Sequence, residues 1–496
     1  MSKVFVLGID GGSFDLINQW KDDLPNFSNL INNGTSGYLH TIVPMLTPPA
    51  WTSFSTGKNP GKHNIFDFFK VKGYDKELVR SNDRKTDTIW ELLSMNNKRS
   101  IVFGIPANYP PQPFNGIMVC AADAPSIESE FTYPKSFKEK IFELNPNYKI
   151  GVDVNNLEYK RYDKFIEDLY KVTEYYKNLV CYLVENEEWD LFIAVFEDID
   201  RLQHYFWKFM DSTHPDYVKG NKFENAIHDY YKKMDELIGD IRHKLNDEVV
   251  FFVVSDHGFG PLYKQVFVNN LLLNKGFLKI KNSKVNDNNI NLKNLLIDIA
   301  YKLRIKHLIS KLPRNTKNAL NKIIPSGNSN FSDIDWKNTK AYFNSYSGQY
   351  IMINLNGRDS NGVVNSSEYN EVLEEIKKEL LDLKDNGKRV VKEVYFAHEL
   401  FKGDNLKNAP DLFVVTEDGY ILQEGFNSKL IDSFKGNNHR SGEHRDNGIL
   451  IVSGKNIKKN YHLEASILDV CPTILKILET QVPDDVDGKL IPCFSD

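Results

Sequence analysis

Short apolar runs punctuate the chain at Val4–Ile9, Ile101–Gly104, Leu191–Phe196, Val249–Ser255, Asp411–Val415 and Ile449–Val452. They are shorter than a helix needs to bury a face, and rich in β-branched residues, so they read as buried strands. Longer stretches of mixed apolar and polar residues lie between several of them. Lys164–Asn186 and Asn225–Lys244 have the spacing of amphipathic helices. Strands apolar on both faces, alternating with helices, predict an α/β fold whose central, mostly parallel sheet is flanked by helices on both faces. In such sheets ligands collect beyond the carboxyl ends of the strands. Polar residues that directly follow the apolar runs are therefore the first candidates for function.

The pattern changes near residue 273. Between Lys275 and Pro325 there are twelve Lys or Arg residues against two acidic ones. An Asn-rich piece, Asn286–Asn291, precedes Leu292, Leu295, Leu296, Ile299, Leu303 and Leu308, which are spaced like one helical face. Core packing is the default reading of that face. Lys340–Leu355 alternates like strand, Glu368–Lys384 reads as a helix, and Val390–Tyr395 as a further strand. The expected division is a sheet domain in two parts, 1–272 and 397–496, interrupted by a smaller α+β cap at 273–396. The basic segment is either a solvated face or a collar that draws a phosphorylated substrate or anionic lipid toward the site, with peripheral membrane contact in the second case. It lacks the interleaved aromatics of a single-strand nucleic-acid module.

Composition narrows the class. With 496 residues, 41% of them hydrophobic, the chain can bury a large core, and its net charge of −5 does not mark it as a general polyanion binder. Four cysteines without a CxxC pair argue against a disulfide scaffold or a thiolate zinc site, and for a reducing compartment. The first strand begins at Val4 with no leader-like segment before it, and no apolar run reaches the length of a membrane span. A cytoplasmic location is expected. The sequence does not speak to oligomeric state.

Five places combine chemistry with a strand end or helix start. Gly8-Ile9-Asp10-Gly11-Gly12 ends the first strand on a carboxylate, or is an ordinary Asp-Gly-Gly turn. In Leu46-Thr47-Pro48-Pro49 the prolines place Thr47 at or just before a helix start. There, backbone N–H groups and the helix dipole favour an anion, although an N-cap is the commoner role. Asp200 and His204 are four apart, so on a helix they share one face, either for a metal or for a surface contact. Asp256 and His257 follow a strand directly, where burial without a partner would be costly and metal ligation resolves the cost. His439 and His444 lie in the glycine-containing loop before Ile449–Val452, which by itself reads as polar surface. Together these sites suit two oxygen- and nitrogen-ligated divalent ions, with zinc the first expectation and manganese the second. Two such ions could clamp both oxygens of an in-line displacement.

At these residues the sequence resembles the type I phosphodiesterase/nucleotide pyrophosphatase family of the alkaline phosphatase superfamily. The matching stretches run in order: Gly8–Gly12, Thr47–Gly57, Asp200–His204, Ser255–Gly258 and Gly442–His444, then Leu468–Leu475 and Val482–Lys489. The resemblance implies an alkaline-phosphatase-like fold and a covalent mechanism. Thr47 would be the nucleophile and become transiently phosphorylated. One metal would be held by Asp10, Asp256 and His257 and also meet the Thr47 oxygen. The other would be held by Asp200, His204 and His444.

The family's phosphodiesterases place a phosphate-binding Asn a little further along than Asn64, where a gapless count puts Phe68. Asn64 through a shifted turn, Lys58 or Arg445 are the candidates for that contact. His439 is either a substrate contact or a support behind the ligands, and His63 either braces its turn or meets substrate. The resulting expectation is a metal-dependent phosphohydrolase that cleaves phosphodiester or pyrophosphate bonds in a small phosphate ester or a lipid-linked substrate. The alternatives are a phosphoryl or phospho-alcohol transferase or mutase, a phosphomonoesterase, and a binding protein that kept the fold and lost turnover.

Overall fold

The computed structural model describes residues 2–281, 333–345, 348–434 and 439–495. Most of the basic stretch, with its apolar positions Leu292 to Leu308, lies outside these residues. The chain forms two compact units, one from Met1–Tyr263, Ala397–Ala409 and Lys435–Asp496, the other from Lys264–Phe396 and Pro410–Phe434.

The first unit is built on strands β1 (Lys3–Ile9), β2 (Gly34–His40), β3 (Ser100–Phe103), β4 (Gly116–Val119), β5 (Thr132–Tyr133), β6 (Leu191–Phe196), β7 (Val249–Val254), β8 (Gly258–Phe267), β9 (Gly442–Arg445) and β10 (Asn447–Ser453). The central sheet runs β2-β10-β7-β1-β6-β3-β4-β5, with Tyr461–His462 at the β2 edge. Strands β7, β1, β6, β3 and β4 pair in parallel. β6 and β7 are buried along their whole length, as their unbroken apolar character requires of strands covered on both faces.

Two of the expected parallel strands differ. β10, covering Ile449–Val452, is antiparallel to both β7 and β2. Its direction follows from the hairpin before it. β7 leaves the sheet at its carboxyl edge, β8 carries the chain outward, and β9 returns antiparallel along β8. The chain thus re-enters the sheet at the edge where β7 left it and must run the opposite way. The Asp411–Val415 run belongs instead to the second unit. There Leu412–Thr416 lies between Tyr350–Ile353 and Val391–Phe396 in a four-stranded antiparallel sheet. Helix Tyr369–Leu381 packs on Val391–Phe396 through a face that buries Val372, Leu373, Ile376 and Leu380.

The helix that carries Thr47, α1 (Thr47–Thr56), has every residue buried. A helix without a wet face must satisfy its own polar side chains. Thr52, Ser55 and Thr56 do so by donating to the carbonyls of Pro48, Trp51 and Thr52 at 2.7, 2.6 and 2.8 Å. Pro48 and Pro49 sit in the first turn, where a missing N–H disrupts nothing. Gly57 ends the helix at φ +67°, and its carbonyl accepts from the N–H groups of Asp487 and Gly488 at 2.9 and 3.1 Å. The C-terminal tail therefore locks the far end of α1.

Ser53 points to His63. The buried His63 accepts from the Ile65 N–H at Nδ1 (3.1 Å), so its proton sits on Nε2 and is donated to Ser53 Oγ at 3.0 Å. Burial, with help from the Arg84 charge, pushes the His63 pKa down to about 3. His63 braces its turn.

Trp51 of α1 fixes the depth of the helix over the sheet. A Cβ added at Gly8 would stand 2.6 Å from Trp51 Cη2 and 2.7 Å from Val195 Cγ2. A methyl group there has no room, so Gly8→Ala should cost about 1–3 kcal/mol by overpacking, read as a lower midpoint in urea melts followed by tryptophan fluorescence. His63 gives a second test. Its folded pKa lies below its unfolded value, so the stability it contributes is present above about pH 6.5 and is lost as pH falls toward about 3. A buried shift of this size is worth on the order of 4 kcal/mol. Between pH 7 and 4 the stability of His63→Gln should fall less steeply than that of the parent.

Candidate active site

Side chains from four places converge beyond the carboxyl edge of the sheet. Asp10 follows β1, and Asp256 and His257 follow β7. Asp200 and His204 lie on helix α2 (Asp198–Met210), which starts after β6, and His444 lies in β9. Asp10, Asp256 and His257 repeat one local rule: an apolar strand ends, and the first residues after it carry the polar groups; His444 instead sits within β9, paired with Phe259.

The site is tight. The Trp51 indole N–H donates to Asp10 Oδ2 at 2.9 Å, and the Gly11 N–H to Asp256 Oδ1 at 3.1 Å. The second oxygens, Asp10 Oδ1 and Asp256 Oδ2, are buried without a hydrogen-bond donor. Burial, and then the mutual repulsion of Asp10 with Asp256 and Asp200, holds the Asp10 carboxyl well above the usual range; burial does the same to Asp256. His257 Nε2 lies 3.2 Å from Asp256 Oδ2, 3.7 Å from Asp10 Oδ1 and 3.4 Å from Thr47 Oγ1.

The three histidines share one arrangement. Nδ1 of His257 faces the Gly258 carbonyl at 3.1 Å, that of His204 the Gly442 carbonyl at 2.9 Å, and that of His444 the Met45 carbonyl at 2.7 Å. A proton on Nδ1 of His257 and of His444 satisfies those carbonyls and leaves Nε2 as a lone pair turned inward; at His204 the Arg440 Nε–H donates toward Nδ1 at 3.1 Å. A backbone acceptor behind a ring in this way is what orients a metal-ligating histidine. His444 Nε2 is 3.1 Å from both Asp200 Oδ1 and His204 Nε2, and the rings of His257 and His444 stack at 3.7 Å. Burial alone would raise the pKa of Asp200, but His204 and His444 hold it well below the usual range. His444 is raised despite its burial, through the Asp200 hydrogen bond and Glu443. Burial lowers both His204, beside Arg440, and His257, beside His444.

Donor atoms of Asp10, Asp256 and His257 lie within 4.8 Å of one another, as do those of Asp200, His257 and His444, and those of His204, Glu443 and His444. Acceptors facing acceptors, with three carboxylate oxygens left over, on Asp10, Asp256 and Glu443, fit divalent cations.

Thr47 is the first residue of α1. The helix start gives it fewer amide donors than the sequence suggests. Pro48 and Pro49 have no N–H, and that of Ala50 goes to the Leu46 carbonyl at 3.0 Å. Positive charge at Thr47 must therefore come mainly from elsewhere.

The other sequence candidates have structural partners. Asn64, in the left-handed region at φ +70°, donates to the Asp83 carbonyl at 3.1 Å and accepts from Asn408 Nδ2 at 2.8 Å, so its amide is engaged at both ends. Lys58 Nζ pairs with Asp485 in the tail at 2.5 Å. His439 Nε2 lies 2.9 Å from Asp216 Oδ2. Arg445 donates to the carbonyls of His444 and Pro261 at 2.7 and 2.5 Å and pins β9 to β8. Two residues that the sequence did not single out reach the centre. Arg440 Nη2 lies 2.7 Å from His204 Nδ1 and 2.5 Å from Nε2, and donates to Glu443 Oε1 at 3.2 Å. Their only signal was adjacency to His439 and His444.

The fold has solved counterparts. Two structures of murine ectonucleotide pyrophosphatase/phosphodiesterase 5, one of them an inactive variant in complex with AMP, superpose with TM-scores of 0.53 and 0.52. Each shares 12% identity, and the match covers 97% of this chain and 96% of the other. At that identity the likeness is one of fold, and it is alkaline-phosphatase-like. No curated protein matches the chain. The model of type I phosphodiesterase / nucleotide pyrophosphatase matches residues 4–447, which take in every residue of the centre described above. The chain belongs to the type I phosphodiesterase/nucleotide pyrophosphatase family.

Proposed function

We propose that this hydrolase of phosphoric ester bonds cleaves a phosphodiester or pyrophosphate bond through a phosphothreonine at Thr47, with two divalent cations, zinc before manganese. The observation that carries the reading is the convergence of the Nε2 atoms of His204, His257 and His444 on the carboxylates of Asp10, Asp200 and Asp256, two of whose oxygens are buried without a donor. Asp10, Asp256 and His257 would hold one cation, and Asp200, His204 and His444 the other. When bound, the cations supply positive charge that favours the ionised Thr47 hydroxyl and the charge developing on the phosphoryl oxygens.

The chain's own groups set up the displacement. Thr47 donates its hydroxyl proton toward the His257 Nε2 lone pair, which aims the oxygen into the centre. Trp51 fixes the Asp10 carboxylate, and the first turn of α1, held from behind by Leu46 and Ala50, gives Thr47 little freedom. A threonine hydroxyl is a weak nucleophile until its proton is removed, so a buried, pre-aimed Thr47 beside this donor set is suited to attack at phosphorus. The Thr47 O–P bond would form as the bond to the leaving alcohol or phosphate breaks, and a second in-line attack, by water, would break the Thr47 O–P bond and release the remaining phosphate monoester.

Nucleotide-containing substrates come first, since a structural neighbour is known in complex with AMP; lipid-linked phosphate esters come second. Four buried cysteines without a disulfide suit a reducing, cytoplasmic setting.

A panel of mono-, di- and pyrophosphate esters, assayed with added zinc or manganese, tests the reading. Thr47→Ala should lose at least about 10³-fold in turnover of an activated diester while keeping its melting behaviour. Full activity in that variant would remove Thr47 as nucleophile. Chelation should abolish turnover and re-addition of the cation restore it. Asp256→Asn should bind less metal by elemental analysis, because it loses a charged donor while its neutral amide still fits the space.

A further inference from the structure

Glu443 was not among the residues expected in the centre, yet its carboxylate stands there. Its donor oxygen lies within 4.8 Å of the donor nitrogens of His204 and His444. The two carboxylate oxygens have different surroundings. Oε1 accepts from Arg440 Nη2 at 3.2 Å and from the His444 N–H at 3.1 Å. Oε2 is buried and has no hydrogen-bond donor at all. A carboxylate that served only as counter-charge to Arg440 would turn both oxygens to the guanidinium or leave one in water. Here Oε1 is anchored and lies 3.9 Å from His444 Nε2, and Oε2 is held out of solvent with no donor. An anchored oxygen together with an unmet one is the arrangement of a carboxylate ligand fixed by its outer contacts.

We propose that the Glu443 carboxylate is a further ligand of the cation held by Asp200, His204 and His444, which makes that site two carboxylates and two histidines; the assignment rests on the two-cation reading above. The chemistry is consistent. Asp200 and Glu443 together offset the charge of a divalent ion, and four mixed oxygen and nitrogen donors match a tetrahedral zinc shell. Arg440 then acts as the positioning residue. It donates to Oε1 and lies against the His204 ring, 2.7 Å from Nδ1, and so orients the Glu443 carboxylate beside the donor set. The strand places the two ligands on adjacent residues, Glu443 and His444, which is possible because the Glu443 side chain curls back to its neighbour's own N–H. The site on Asp10, Asp256 and His257 already has two carboxylates, so Glu443 would bring the second site to the same number.

The test is metal binding by the full chain, independent of turnover. The stripped parent, Glu443→Gln and Glu443→Ala are titrated with zinc, and cobalt(II) absorption is recorded as a report on donor number. The parent should take up two equivalents. Both variants should keep the first, bind the second at least about tenfold more weakly, and change the cobalt spectrum of that equivalent alone. Glu443→Gln preserves the volume and can still accept from Arg440, so it answers the question even if Glu443→Ala folds poorly. Unchanged zinc affinities and cobalt spectra in Glu443→Gln would overturn the assignment. A parent that binds fewer than two equivalents would instead overturn the two-cation reading, and with it this ligand.

Discussion

The structure depends on an electrostatic conflict placed at one edge of a sheet. Inward-facing histidine lone pairs and carboxylate oxygens repel one another when they are buried a few ångströms apart, and such groups are costly to hold without compensating charge. Everything around them acts to keep them there. Backbone carbonyls fix the outer nitrogen of each ring, and Trp51 and Gly11 each occupy one oxygen of a carboxylate. The centre is pre-formed by the fold, with a deficit of positive charge as its defining property.

Holding that conflict in place is the task of the apolar scaffold. β1, β6 and β7 are buried strands whose ends cannot move independently, since their ladders run side by side through the core. α1 contributes in another way. It has no wet face, satisfies its own hydroxyls internally, and is pinned at its far end by the tail through Gly57. Thr47, the proposed nucleophile, gives up on such a helix side-chain freedom that a loop would leave it, and pre-organisation of this kind would favour its attack.

Much of this was legible in the chain, because buried parallel strands are continuous apolar words, and whatever follows them lies at the sheet's carboxyl edge. Asp10, Asp200, Asp256, His257 and the start of α1 all stood out on that ground. What was not legible depends on pairing. β2, Gly34–His40, carries glycine, serine and threonine and has no apolar run, yet it is a full strand because it lies beside β10. The direction of β10 is set by a hairpin that involves residues far apart in sequence. Leu412–Thr416 has the composition of a parallel core strand, and only its partners send it to a different sheet. Glu443 and Arg440 stayed hidden for a related reason. Side chains of adjacent strand residues point to opposite faces, and nothing in the sequence announces that Glu443 curls back. Asn64 is the converse, a residue whose spacing suggested substrate and whose amide is occupied by Asp83 and Asn408.

The position of β10 has a consequence for synthesis. This strand lies in the interior of the sheet, between β2 and β7, although it comes from residues 447–453. A chain emerging from the ribosome in order leaves β2 and β7 without their shared neighbour until residues 447–453 have been made. His444 is delivered just ahead of that strand. An incomplete chain therefore has an open sheet and an incomplete donor set at once. Completing β10 closes the sheet just after His444 completes the donor set, so a product that stops before them lacks the centre through the same gap that exposes its edges to quality control.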